Sequence, residues 1–593
     1  MADRYRAPLD DIRFVLDKMI KFDQLTKIDA FKATTPDLVN QVLQTAAKFA
    51  EEVVAPLNQP GDRQGVRLEN GVVLMPDGFA DCYHKYVEAG WASVNGDTDY
   101  GGQGLPWTIS IALNEIWQSA NMSLANAWML TQGAVEAIQM HGTPQQKTTY
   151  LPNLISGKWS GTMNLTEPNA GSDVGALKTK AVPEKGAWRI TGTKIFITHG
   201  DQDMSENIIH LVLARTPGAP EGTKGISLFI VPKFNVDGSG KIGQRNDLRV
   251  VSLEHKLGHM ASPTAVMSYG DNEGAIGFLL GKENQGMACM FTMMNNARLN
   301  VAVQGLAIAE RSYQAARQWA MERIQGNDIS GKSKSKVTII QHPDVRRMLM
   351  DMRSQTEAIR ALCYSVAEAI DLAQKHPDQE LREHYRGYLE LMTPIAKAWS
   401  TDQGFDIAST GVQVHGGMGY IEETGAAQYL RDARITMIYE GTNGIQALDL
   451  VRRKLPKEIT ATNRLFEAMK KTTEDMISNG DPSLVTTANE LQTSIKALRK
   501  ATEWMRQTIL AEPEIAASGA TQYCRMFGYI AAGWLLGKGA LQAVSSANNQ
   551  SFSNRKKISA QFFAEQHLPS AAALLGPITT AGKTTLTLIN EEA

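Results

Sequence analysis

The chain is 593 residues long, 43% hydrophobic and 21% charged, an ordinary globular mixture with room for roughly three or four domains. A formal net charge of −2 and a pI near 6.6 argue against broad nucleic-acid binding, which needs a basic face. Cys82, Cys289, Cys363 and Cys524 lie far apart without a C-x-x-C pair, which argues against a zinc site or a disulfide frame and points to free thiols in a reducing cytoplasm.

No apolar signal core follows the charges of Met1 to Arg6. Up to about Ser160 the pattern is helical. Thr35-Pro36 reads as a helix cap and first position. Leu38, Val42, Ala46, Phe49 and Val53 then follow at steps of 3 or 4, one apolar face. Gly90-Trp91 and the turn Tyr100 to Gly104 interrupt the helices. A long helical stretch runs from Thr108 to His141, Gly142-Thr143-Pro144 stops it, and Gln145 to Leu154 begins another.

The period changes near Gly161. Trp188 to Ile190, Lys194 to Thr198, Ile208 to Arg215 and Gly225 to Val231 are short β-branched or aromatic runs. Turns such as Gly192, Pro217-Gly218 and Asp237-Gly238 bound them. The spacing predicts a compact antiparallel β domain ending near Gly281. Helical patterns return over Gly286 to Gln325, Asp344 to Lys375 and Tyr385 to Thr410. A polar loop, Gly326 to Val337, carries Lys332, Lys334 and Lys336.

Beyond Pro456, the residues Ala488, Leu491, Ile495, Leu498, Thr502, Met505 and Ile509 step by 3 and 4. They predict a long amphipathic helix in a small bundle, with turns at Asn479 to Pro482 and at Glu512-Pro513. The longest uncharged apolar run, Met526 to Gly537, is too short to cross a bilayer. The expected division is 1–160, 161–282, 283–455 and 456–593.

Four local patterns carry the chemistry. They are Met163 to Asp173, Lys194 to Gly200, Gln413 to Tyr420, and Arg431 to Arg434 leading into Tyr439-Glu440-Gly441-Thr442. Glu440 stands between an apolar run and a Gly-rich turn, where lost hydration raises a carboxylate's pKa and makes it a better base for a weakly acidic carbon. Taken alone, the stretch reads first as a solvated Glu at the start of a helix.

In this order and spacing the four patterns resemble the acyl-CoA dehydrogenase family of flavoproteins, over residues 40–450. The added C-terminal segment resembles a longer bacterial branch that includes enzymes of the 3-methylmercaptopropionyl-CoA and broad-range fatty acyl-CoA types. The resemblance implies a mainly α fold with a central β domain. An N-terminal helical domain precedes a middle antiparallel β-barrel domain and a C-terminal four-helix-type domain, with FAD between the last two and a further helical bundle at the end. It also implies a homo-oligomer, a dimer first, in which the neighbouring subunit contributes to the FAD site, and an electron-transfer flavoprotein as partner.

By the same resemblance, Glu440 is the base that removes the α-proton while a β-hydride leaves for FAD, in fatty acid β-oxidation. The Glu440 N–H and a ribityl hydroxyl receive the thioester oxygen. Met163, Leu165 and Thr166 meet the flavin edge, and Phe196 and Thr198 flank the ring, Phe196 standing where the family usually has Trp. Arg323, Gln413, Gly416 and Gly417 approach the phosphates, and Thr442 touches FAD. Ser172, Arg298, Tyr439 and Gly441 are the substrate residues, Arg298 steering CoA or ordering the site. No metal is expected. Some relatives carry their base near Arg298, but Asn296 to Leu299 offers no carboxylate, which leaves Glu440. Trp128 and Met129 read as core or as the closed end of an acyl pocket. The competing readings are an acyl-CoA oxidase that reduces oxygen, a DNA-associated relative, and a relative that has lost catalysis.

Overall fold

Thr35 does start a helix: its hydroxyl accepts from Leu38 N at 3.2 Å, and α1 runs Pro36–Phe49. The buried face is not the expected one, however. Leu38 is 38% exposed, whereas Val39, Leu43, Ala46, Ala47 and Ala50 are buried. The segment has apolar residues on two faces, and packing selects the one with small alanines that permit close approach. The long stretch from Thr108 is two helices, α3 (Trp107–Ala120) and α4 (Met122–His141), after α2 (Phe79–Glu88). Asn121 divides them because its extended backbone and side-chain oxygen, which accepts from Leu124 N at 3.1 Å, restart the helix. Thr143 and Gln146 form a reciprocal capping box at the head of α5 (Pro144–Ile155).

The computed structural model describes residues 5–587 except residue 21, residues 333–334 and residues 545–549. Met1 to Arg4 and Lys334 therefore lie outside the described residues. The chain forms two compact units: Met1–Ala47 with Trp107–Ser119 and Val301–Ala593, and Lys48–Pro106 with Ala120–Asn300.

The second unit holds a curled eight-stranded sheet. Its strands are β1 (Trp159–Asn164), β2 (Lys180–Glu184), β3 (Ala187–Thr198), β4 (Asn207–Ala214), β5 (Ser227–Pro232), β6 (Leu248–Leu253), β7 (Thr264–Tyr269) and β8 (Ala275–Leu280). The spatial order is β6-β7-β3-β8-β5-β4-β1, with β2 beside β3. Every pair is antiparallel except β1–β4, which runs parallel. The β2–β3 hairpin is part of the crossover connection that a parallel pair needs. Gly192 is not the expected turn. It lies inside β3, where an added Cβ would come within 2.4 Å of the Thr179 hydroxyl. Helix α4 packs so closely on β1 that a Cβ on Gly161 would lie 2.3 Å from that of Ala134. Leu211 and Val212 of β4 enter separate cores on the two sheet faces, so this strand reads as a continuous apolar run.

The first unit is helical: α6 (Gly286–Glu322) from Val301 onward, α7 (Pro343–Lys375), α8 (Gln379–His415), α9 (Ala426–Thr436) and α10 (Asn443–Asp449). The added bundle follows as α11 (Ile459–Asn479), α12 (Pro482–Ala511), α13 (Ala520–Val544) and α14 (Gln550–Ala573). The ends of the expected polar loop pair as a short hairpin, Ile324–Asn327 with Lys336–Thr338. Helices α6 and α8 cross at Gly305, where a Cβ would meet the Ser400 carbonyl at 2.3 Å. One buried charge cluster joins these helices: Arg360 binds Glu115 at 2.8 Å and Glu310 at 2.7 Å, and Tyr364 donates to Glu115 at 2.7 Å. No helix among the described residues is long and apolar enough to cross a membrane.

Candidate active site

Two of the four sequence patterns meet in the sheet unit. The Lys194 ammonium, fully buried, donates to Glu167 at 2.8 Å and to the Leu165 carbonyl at 3.0 Å. Ile195 N donates to the Thr166 carbonyl at 2.9 Å. Residues Leu165 and Thr166 are thus laid against β3. Their carbonyls accept within the chain, which leaves the N–H groups and the Thr166 hydroxyl as candidates toward a ligand. Burial pushes the Lys194 ammonium down to about 8, a shift its carboxylate partner only partly offsets. Burial alone would raise the Glu167 carboxyl, but the Lys194 charge and several hydrogen bonds hold it below its ordinary value. Met163 is buried on β1, the last strand of the sheet path, in register with Leu211.

Phe196 owes its position to a β-bulge. Lys194 pairs with Met267 and Ile197 with Ala265, so two residues of β3, Ile195 and Phe196, face one residue of β7. The extra residue takes up φ +60° at Phe196. A bulge re-aims a side chain, and the Phe196 ring is 58% exposed on an otherwise packed strand. Thr198 follows, half-buried and paired with Thr264. His199, at φ +49°, is buried, and burial pushes its imidazole down to about 4. Ser172 lies exposed in the loop after β1. Arg298 is not a surface arginine: it is 4% exposed, with its guanidinium 6.0 Å from the Phe291 ring centre. Trp128 stacks flat on Tyr86 at 3.9 Å, and Met129 joins the unit's core.

The other two patterns meet in the helical unit. Residues 437–442 link α9 to α10. Glu440 has φ +55° and Gly441 φ +85°, a left-handed pair that costs a non-glycine residue about 1–3 kcal/mol. Among the described residues seven non-glycine positions have positive φ. Four of them, Asn70, Lys185, His199 and Asn284, are turn residues, whereas Phe196 lies inside β3 and Glu440 in the link between α9 and α10. Tyr439 donates its hydroxyl to the buried Gln304. The Thr442 hydroxyl caps α10 by accepting from Ile445 N at 3.2 Å. In the fourth pattern Asp432 is buried, and Arg431 pairs with Glu422 at 2.8 Å.

Gly416 ends α8 at φ +64° and ψ −145°, a region open essentially to glycine alone. Gln413, Gly416 and Gly417 are exposed, and a Cβ on either glycine would meet no atom of this chain within 4 Å. Arg323, also exposed, has its guanidinium 5.9 Å from the Trp319 ring, and that ring stacks on His415 at 5.4 Å. One aromatic contact thus gathers Arg323 and the Gly416 turn. An exposed aromatic face beside Thr198 suits a planar ring, and open backbone beside a cation suits a diphosphate. Each unit, taken by itself, thus carries one part of what a flavin dinucleotide needs.

Sequence reasoning missed Lys397, Asn443 and Gln446, all buried behind the Glu440 turn. The one available signal was a lone lysine in the apolar stretch Leu391 to Trp399.

The chain matches four family models. These are the acyl-CoA dehydrogenase N-terminal domain over residues 37–158, the middle domain over 162–271, the C-terminal domain over 284–455, and an acetyl-CoA dehydrogenase C-terminal-like domain over 465–588. It is 44% identical over 587 residues to the 3-methylmercaptopropionyl-CoA dehydrogenase of Ruegeria pomeroyi, covering 98% of this chain and 99% of that protein. It is 33% identical to a broad-specificity linear acyl-CoA dehydrogenase of Mycobacterium tuberculosis, covering 95% and 96%. The structure of ACDH-11 from Caenorhabditis elegans in complex with C11-CoA shares the fold, with a TM-score of 0.78 at 22% identity over 96% of this chain and 92% of that one. Fold and site motifs define a flavin-dependent oxidoreductase of the helix–sheet–helix type. The chain belongs to the acyl-CoA dehydrogenase family, in the form that carries the added C-terminal helical domain.

Proposed function

We propose that the chain oxidises an acyl-CoA thioester to the trans-2-enoyl-CoA, with Glu440 as the base, and passes the electrons to an electron-transfer flavoprotein. The observation that carries the reading is the carboxylate of a strained, left-handed Glu440 whose backbone is tied down from behind. FAD, when bound, would supply the electron sink for the hydride that leaves the β-carbon. Glu440 takes the α-proton, and its backbone N–H receives the developing charge on the thioester oxygen. Phe196, Thr198, Met163, Leu165 and Thr166 are assigned to the flavin ring. Arg323, Gln413, Gly416, Gly417 and Thr442 are assigned to the rest of FAD, and Ser172, Arg298, Tyr439 and Gly441 to the substrate.

The exposure of Arg323, Gln413, Gly416 and Gly417 supports a face shared with a second copy, and so a homodimer. Four buried free thiols, Cys82, Cys289, Cys363 and Cys524, support a cytoplasmic enzyme. The division into 1–160, 161–282, 283–455 and 456–593 is retained as the functional one. The likeness to the Ruegeria enzyme makes 3-methylmercaptopropionyl-CoA the first thioester to try, beside linear acyl-CoAs.

Glu440→Gln should keep its bound FAD yet lose roughly 10²–10⁴-fold in the rate at which acyl-CoA bleaches the flavin. Near-normal bleaching by this variant would end the assignment. Fast reoxidation of the reduced wild type by air would favour an oxidase.

A further inference from the structure

The Glu440 turn is held from behind by a buried cation. Lys397 on α8 has no exposed surface. Its ammonium donates to the Gly441 carbonyl at 2.9 Å and to the Asn443 side-chain oxygen at 2.8 Å. Asn443 is tied back to α8 in turn: its amide donates to the Ala398 carbonyl at 3.1 Å, the Thr401 hydroxyl at 2.9 Å and Asp402 at 2.6 Å. From the other side Gln446, fully buried, donates to the Glu440 carbonyl at 3.2 Å, with a weaker approach to the Gly441 carbonyl at 3.4 Å. Both carbonyls of the left-handed pair are therefore turned inward onto side chains of α8 and α10.

A buried ammonium is costly to desolvate, and Met would fill a similar volume on α8 without that cost. A strong donor to the turn is what the lysine supplies in return. Two successive residues at positive φ relax readily unless the surroundings over-determine them, and such relaxation would swing the Glu440 side chain away from its aim.

Resting on the assignment of Glu440 as base, we propose that Lys397, seconded by Gln446, is a positioning residue that locks the Glu440–Gly441 turn and so aims the carboxylate at the α-carbon. Lys397 itself presents no surface to a ligand. Its effect runs through the Gly441 carbonyl.

The test compares Lys397→Met, Gln446→Met and Glu440→Gln in the full-length holoenzyme. Each is examined for FAD per chain, melting temperature, kcat and KM. A further probe is a 3-thia-acyl-CoA, which can lose its α-proton but has sulfur where the β-hydride would leave. Its deprotonation is read as a long-wavelength charge-transfer absorption. Lys397→Met should keep FAD and a cooperative melt. It should lose on the order of ten- to a hundredfold in kcat with KM little changed, and it should weaken the charge-transfer band. Gln446→Met should do the same to a lesser degree, and it decides the matter if Lys397→Met fails to fold. Wild-type kcat and band in the variants, with Glu440→Gln inactive, would overturn this role and leave the base in place. An active Glu440→Gln would remove the base as well. Loss of FAD or of cooperative melting in both lysine and glutamine variants would make the role structural and overturn the proposal.

Discussion

Phe196 and Glu440 show how much a single backbone angle decides. Each is a non-glycine residue in the left-handed region, and each owes its aim to a neighbour that pins the backbone. For Phe196 the neighbour is Lys194, two residues back on the far side of the bulge. Lys194 and Glu167 form an ion pair that is 0% and 7% exposed, and removing one partner strands the other charge. Lys194→Met should therefore destabilise the fold by about 3–5 kcal/mol. Adding Glu167→Leu should recover much of that, both read from denaturant midpoints. A single variant within 1 kcal/mol of wild type, on the scale that separates a strained residue from an ordinary one, would mean that the pair contributes little. The motif letters around Lys194 and Glu440 were legible from the chain. The bulge was not, because its extra residue exists only relative to the pairing partner on β7.

At the scale of elements, helices were easier to find than to orient. The 3-and-4 stepping located α12 and its buried stripe, with Ala488, Leu491, Ile495, Leu498, Thr502 and Met505 all inside. The same stepping on α1 chose a face that packing refused. The difference lies in composition. On α12 the opposite face carries Lys496, Arg499 and Lys500, whereas α1 is apolar on two sides and only its neighbours decide. Close crossings are also invisible in a single helix. Helix α13 presents Gly528 to Trp399, and a Cβ there would lie 2.4 Å from the indole ring. Gly528→Ala should cost about 1–3 kcal/mol by overpacking, measured as a lowered melting temperature. Trp399 lies two residues beyond Lys397, so kcat should fall with it if the turn behind Glu440 feels the shift. A melting temperature equal to wild type would show that the crossing has slack.

At the scale of the whole molecule, the chain ends are tied by charge within the helical unit. Asp11, near the start, meets Lys556 of α14, and Lys556 also reaches Glu357 at 3.3 Å. Burial alone would raise the Asp11 carboxyl, but the charges of Lys556 and Arg360 outweigh it and hold the group down at about 2 against an ordinary 3.8. A depressed folded value means stabilisation that is present above the ordinary value and lost as pH falls through the folded one. The melting temperature of wild type should exceed that of Asp11→Asn at pH 5, and the gap should close between about pH 4 and pH 2. A gap unchanged with pH would mean that the carboxylate's charge plays no part.

What the amino-acid order settled alone was local or combinatorial: the helical and strand periods, the cap at Thr35, and the ordered motifs that identify the family. Those signals survive in one dimension because period, turn chemistry and spacing are properties of neighbours along the chain. The buried face of α1, the parallel β1–β4 pair, the bulge at Phe196 and the lysine behind Gly441 were decided only in three dimensions. Each depends on which distant segment supplies the opposing surface, carbonyl or charge, and Lys397 and Gly441 lie 44 residues apart in sequence.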